Sequence, residues 1–188
     1  MKKIPTLFVR VFISKGNVHL TPAVTPGMEW VMNGEGVATV KIDGSATAII
    51  DGVFYKRYDA KQGKKPPEGA IPCCEPDAIT GHFPHWVKVD PNDNADKWLW
   101  SAYMNAGGET LQDGTYEAIG PHFRANPYEL EKDILERHGI RIIDPPRSFE
   151  GLREYLTENY IEGIVFWKDG EPRCKIRRKD YGLPWNSK

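Results

Sequence analysis

Residues 37–50 read VATVKIDGSATAII. Val37, Thr39, Lys41 and Asp43 alternate with Ala38, Val40 and Ile42, the period-two pattern of a half-buried strand, so Lys41 and Asp43 share a face just ahead of Gly44. The segment has two readings: a hairpin that turns on Asp-Gly and carries an exposed charge, or a strand that presents a lysine nucleophile. A lysine amine, with an ordinary pKa near ~10.4, is a poor nucleophile at neutral pH. It attacks phosphorus or a carbonyl carbon where burial and nearby cations favour its neutral form. A phosphoryl-transfer site would further require cations to neutralise phosphate, carboxylates for a divalent metal and sugar hydroxyls, and a platform for a base.

The rest of the chain offers those parts. Glu162 opens the apolar run IEGIVF, and Glu117 sits inside GTYEAIG; both are costly places for a carboxylate without a partner or a metal. In CKIRRKDYG, Lys175 and Arg177 alternate across Ile176 and so point to one face of a strand. Arg57, in YKRYDA, follows Lys41 at the end of a hairpin that can return toward it. Each also has a plainer reading: Glu162 as a strand-end ion pair with Lys175, Glu117 as an edge-strand charge, Arg57 as a solvated arginine. Cys73, Cys74, His82 and His85 are close in sequence, but adjacent cysteines chelate one metal poorly and the familiar zinc spacings are absent.

The elements that must hold these residues read as α+β. The first third, Ile4 to Tyr58, is strand-rich, and Asp51-Gly52 between apolar arms is a two-residue hairpin signal. DAKQGKKPPEGAIPCCEPDAITGHFP reads as a long surface loop, whose Lys61, Lys64 and Lys65 are either phosphate contacts or a solvated basic stretch. DNADKWLWSAYMN predicts a helix capped near Asn94, with Trp98, Ala102 and Asn105 or Leu99 and Tyr103 defining its faces. DGTYEAIG predicts a strand, and NPYELEKDILERHG a helix with Asn126 as cap, Pro127 in first position and Gly139 beyond its end. RIID is strand-like; SFEGLREYLTENY predicts a helix capped by Ser148 with Phe149, Leu152, Tyr155 and Leu156 on one face. The last two strands turn at Asp169-Gly170. With no repeat and no linker, residues 1–188 are expected to form one domain of antiparallel sheets with helices packed on them.

A formal net charge of -1 argues against indiscriminate coating of nucleic acid or an anionic membrane, while leaving room for a local basic groove. No apolar run approaches a membrane span and the first ten residues lack a long apolar core, so the expectation is a cytoplasmic protein that engages no membrane. Three cysteines, an odd number with a vicinal pair, suit a reducing compartment.

Taken in order, KIDG, YKR, TYEAIG, EGIVF and KIRR resemble the ordered motifs of the covalent nucleotidyltransferases, the ATP-dependent RNA and DNA ligases and the GTP-using mRNA capping enzymes. The wider wording, including VTPGMEWVMNGEGVATVKIDG, FYKRYDAK and KIRRKDYGLPW, looks closest to the stand-alone RNA ligase 1 family. The resemblance spans about Gly36 to Tyr181. It implies an α+β nucleotidyltransferase fold, the ATP-grasp-like ligase adenylation domain, in which two antiparallel sheets flanked by helices hold the nucleotide. It implies an ATP-dependent enzyme that joins 5′-phosphate and 3′-hydroxyl RNA ends through a lysyl-AMP intermediate.

Residue by residue, the resemblance makes Lys41 the nucleophile, with Asp43 and Gly44 shaping the turn beside it. Arg57 would contact the ribose and end phosphates, Glu117 would hold ribose hydroxyls, and Glu162 would serve the catalytic magnesium or manganese, with Glu117 as its companion carboxylate. Lys175 and Arg177 would bind the α-phosphate and leaving pyrophosphate and favour the neutral amine of Lys41. Phe123, just beyond IGPH, would stack the adenine or pack in the core. Arg177 departs from the many relatives that carry lysine there; arginine binds phosphate bidentately but does not serve as a proton donor in the way that lysine does. No C-terminal OB-type domain and a monomer are expected. The rival readings are a GTP-dependent capping-type guanylyltransferase, a DNA ligase, and a non-catalytic module that binds nucleotide or RNA ends.

Overall fold

The computed structural model describes residues 3–14, 17–60, 65–77 and 81–185. In chain order its strands are β1 (Phe8–Ser14), β2 (Asn17–Val24), β3 (Val37–Lys41), β4 (Ser45–Ile50), β5 (Val53–Ala60), β6 (Ile71–Pro72), β7 (Phe83–Lys88), β8 (Gly114–Ile119), β9 (Ile134–Arg137), β10 (Ile142–Ile143), β11 (Gly163–Lys168) and β12 (Glu171–Arg177). The helices are α1 (Glu29–Met32), α2 (Lys97–Asn105) and α3 (Phe149–Glu158). Helix and sheet are mixed, with sheet predominant. No helix among the described residues is long and apolar enough to cross a membrane.

The described chain divides into two compact units. One holds Lys3–Ile42 and Gly139–Trp185, and the other holds Asp43–His138. The crossings fall at Ile42/Asp43 and His138/Gly139, within ordinary connections and not in a Pro/Gly-rich linker that composition could flag.

The first unit is built on a four-stranded antiparallel sheet in the order β10-β3-β11-β12. Ala38, Ile164, Phe166, Cys174 and Ile176 face a core completed by Leu7, Phe8, Leu20 and Val31 and by Leu152 and Leu156 of α3. Ser148 caps α3 by accepting a hydrogen bond from the Gly151 amide, as its position in the sequence predicts. The outer edge of β12 is covered by Pro5–Leu7: Leu7 N donates to Lys175 O and Lys175 N to Pro5 O. β1 and β2 form a separate two-stranded ribbon.

The second unit carries a six-stranded antiparallel sheet, β6-β7-β5-β4-β8-β9, with α2 contributing Ala102 and Tyr103 to its core. The β4–β5 hairpin turns at Asp51 and Gly52, both at positive φ (51° and 72°), as the primed turn of a tight hairpin requires. Asp169 and Gly170 do the same between β11 and β12.

Three expectations are corrected. KIDG is not a hairpin: β3 and β4 on either side of it belong to different sheets. The helix containing Trp98 starts at Lys97 after Asp96, not near Asn94. The Asp96 carboxylate accepts from the Asp90 amide and from Lys56 Nζ, and its side chain makes no cap. Residues 126–139 form no helix. Arg124, Ala125 and Asn126 lie at φ 47°, 56° and 50°, and the Asn126 amide side chain closes a loop on Leu130 N and O. The following apolar residues join the sheet as β9, where Leu135 enters the core.

Candidate active site

In the first unit, the sheet face opposite the core gathers four of the candidate residues. β11 lies between β3 and β12, and Gly163 pairs with Lys41 on one side and Arg177 on the other. Two residues on, Val165 pairs with Thr39 and Lys175. Lys41, Arg177 and Lys175 therefore share one face by the period of the strand. Gly163 makes the approach possible: a Cβ there would lie 2.3 Å from Ile176 O and 2.9 Å from Arg177 Cα.

Glu162, placed just before β11 and only 8% exposed, sits against Lys41, with Oε2 2.5 Å from Nζ. The ion pair that sequence reasoning offered for Glu162 forms with Lys41 instead of Lys175. Lys41 Nζ also lies 3.4 Å from Ile42 O. Lys175 lies two residues before Arg177 on the same face. Burial, followed by the neighbouring charges of Arg177 and Lys41, lowers its pKa to about 8.

Arg177 is held by Asp180, a residue the sequence did not single out. Arg177 Nε and Nη2 donate to Asp180 Oδ2 and Oδ1 at 3.0 and 2.8 Å, and the Arg177 amide donates to Oδ2 at 3.0 Å. The fork–fork geometry fixes the guanidinium plane. Asp180 lies in the 3-10 turn Arg178–Tyr181 that directly follows β12, which explains how a residue three positions on reaches back. The next arginine, Arg178, is structural: it is 5% exposed, donates to Leu156 O and, at 3.1 and 2.8 Å, to Asn159 O and Pro184 O.

The remaining candidates belong to the second unit. Gly44 immediately precedes β4, whose Ala46 pairs with Glu117 of β8. A Cβ on Gly44 would lie 2.2 Å from Ala118 O and 2.9 Å from Glu117 Cγ. The Asp43 amide donates to Tyr128 Oη at 2.6 Å, and Arg124 Nε donates to Gly44 O at 3.0 Å. Glu117, 8% exposed, accepts from His138 Nε2 at 2.7 Å, while His138 Nδ1 lies 3.0 Å from Thr115 Oγ1. An ionised carboxylate only accepts, so this bond is made by a proton on Nε2.

Arg57, on β5, spends its Nε on Asp59 Oδ1 at 2.8 Å. Phe123 takes the packing alternative: it is 8% exposed and belongs to the core around Ile49, Phe54 and Leu135. The residue beside it, His122, is the one at the surface.

Among the described residues no group of three or more His, Cys, Asp or Glu side chains could hold a metal ion. Cys73, Cys74, His82 and His85 are not gathered into such a group: His82 Nε2 faces Asp59 and His85 Nδ1 faces Phe83 O. Glu162 is the one carboxylate among the four candidates on the sheet face of the first unit, an oxygen donor of the type that magnesium or manganese would take. Lys61 and Lys64 lie outside the described residues.

No family model matches the chain. The chain is similar to a Danio rerio protein named RNA ligase 1, at 30% identity over 138 residues, a match that takes in 56% of this chain and 42% of the relative. The chain thus spans less than half the length of that relative.

Proposed function

We propose that the chain is an ATP-dependent RNA ligase in which Lys41 carries AMP. The observation that carries this reading is the lysine–carboxylate pair Lys41–Glu162, set on one sheet face beside Lys175 and Arg177. Similarity to a protein named RNA ligase 1 supports the choice of reaction and of RNA as substrate.

In this reading Lys41 Nζ attacks the α-phosphorus of ATP. A new P–N bond forms, the bond to the bridging oxygen breaks, and pyrophosphate leaves with its electron pair. Glu162 Oε2, 2.5 Å from Nζ, is placed to take the proton that the amine must lose. Lys175 and the clamped Arg177 neutralise charge on the transferring phosphate. Glu162 would hold a magnesium or manganese ion, and that ion would supply further charge neutralisation. A 5′-phosphate then takes AMP from Lys41, and a 3′-hydroxyl oxygen displaces AMP to close the phosphodiester.

Incubating purified protein with ATP labelled at the α-phosphate and magnesium tests the reading. An acid-labile protein adduct that is absent from Lys41→Ala is the expected result, and absence of any adduct overturns it. Labelled GTP in place of ATP separates a capping-type guanylyltransferase. Sealing assays on matched RNA and DNA ends separate a DNA ligase. An adduct-free protein that still binds RNA ends would be the non-catalytic module.

A further inference from the structure

Trp98 is 40% exposed on the first turn of α2, and it is not part of the core that α2 buries through Ala102 and Tyr103. Its indole lies flat against the imidazole of His122, with ring centroids 3.3 Å apart and planes within 10°. The imidazole is firmly mounted. His122 Nδ1 donates to Asp133 Oδ2 at 2.7 Å, and the His122 amide donates to Asp133 Oδ1 at 3.1 Å. Asp133 is 4% exposed, so one oxygen of a buried carboxylate holds the surface ring and the other its backbone amide. Gly120 lets Asp133 approach, since a Cβ there would lie 2.7 Å from Asp133 Oδ1. Asn105, at the far end of α2, donates to Asp133 O at 2.9 Å, so the helix that carries Trp98 is tied to the same residue.

With His122 against one face of the indole, a cation over the ring must occupy the other. Lys97 Nζ does so, 4.7 Å from the centroid. Lys97 is exposed, and its flexible four-carbon stem lets the ammonium swing away from the ring. A rigid half-exposed indole with a displaceable lysine over its ring has the chemistry of a stacking site for a flat aromatic group attached to phosphate. Bases inside a duplex have no free face to offer, whereas unpaired ones do.

We propose that Trp98, backed by His122 and Asp133 and flanked by Lys97, is a platform on which an unpaired base of a single-stranded polynucleotide stacks. Its identification as RNA rests on the proposed function. Stacking supplies sequence-tolerant affinity, and Lys97, displaced from the ring, pairs with the adjoining phosphate.

The test is a titration at fixed salt of the full chain and its W98F variant with a short 5′-phosphorylated oligoadenylate, read by tryptophan fluorescence. The difference between the two proteins isolates Trp98. The expected result is quenching of the Trp98 signal by the single strand, with little by a blunt RNA duplex or by ATP. Affinity for the single strand should fall about tenfold in Trp98→Ala, and Lys97→Ala should lessen the salt slope by about one. His122→Ala, which keeps the indole but removes its mount, should weaken binding too, and circular dichroism reports whether each variant is folded. Equal affinity in the parent and a folded Trp98→Ala, or an equal Trp98 signal from ATP alone, overturns the platform. A matched DNA strand that binds through Trp98 better than RNA supports the platform while counting against the RNA-ligase reading, so the two fail separately.

Discussion

Lys41 and Glu162 are separated by 121 residues in sequence and by 2.5 Å between Nζ and Oε2. The pairing follows from strand register, because Lys41 pairs with Gly163, the residue after Glu162. Replacing Glu162 by the isosteric Gln removes the proton acceptor while keeping the shape. Under the proposed function, adduct formation on Lys41 should fall about a hundredfold in Glu162→Gln. A parental rate of labelling in that variant would remove Glu162 from the proton transfer.

Lys175 gives a pH dependence with a definite sign. Its pKa in the folded chain is about 8, below the ordinary 10.5, so between those values the unfolded chain binds more protons. Stability therefore gains from this group as pH rises from about 8 toward 10.5, and the burial cost of the charge is fully felt below 8. Lys175→Met should be more stable than the parent at pH 7 by roughly 1–3 kcal/mol, an advantage that shrinks at high pH. Urea melts on both sides of pH 8 check this; a pH-independent difference would contradict it.

Asp180 is 3% exposed at its side chain and carries the bidentate bond to Arg177. Asp180→Asn leaves a nearly buried guanidinium without its counter-charge and should cost about 2–4 kcal/mol in denaturant melts. Arg177→Lys should fail to restore parental labelling, since an ammonium cannot reproduce the planar fork. Full labelling by both variants would show that the clamp does not orient Arg177 for the reaction.

Two glycines separate spatial from conformational need. Gly52 lies at φ 72°, and a Cβ added there would meet no atom within 4 Å, so Gly52→Ala should cost only about 1 kcal/mol. At Gly44 the obstacle is backbone: the new carbon would lie 2.2 Å from Ala118 O, and the strands must separate. Gly44→Ala should cost more than about 2 kcal/mol. Thermal melts that rank the two variants the other way would refute the steric account.

Local chemistry made some elements readable in advance. Asp51-Gly52 and Asp169-Gly170 demand two left-handed residues in succession, and Ser148 ahead of Phe149 and Leu152 is a cap before a helical face. Where tertiary contacts decide, local signals misled. Asn126-Pro127 has the form of a helix start, yet the left-handed run from Arg124 and the Asn126–Leu130 loop send the chain into β9. The Asp-Gly of KIDG looks like a turn, whereas its glycine answers to a neighbour 74 residues away, Ala118. Alternation was enough to place Lys175 and Arg177 on one face, but not to pair Glu162 with Lys41, which requires the register of β3 on β11. The Trp98–His122–Asp133 stack leaves no mark in sequence because its members lie on α2, a loop and the turn before β9.

The alternation along β12 also bears on how faithfully the chain folds. Cys174 and Ile176 are buried in the core while Lys175 and Arg177 lie on the other face. A slip of one residue against β11 would drive two cations into the interior and expose the two apolar side chains. The charges proposed to serve phosphate thus also guard the strand against mispairing. A chain that lost both to apolar residues would lose a folding checkpoint along with its chemistry, and its misregistered forms would have little to oppose them.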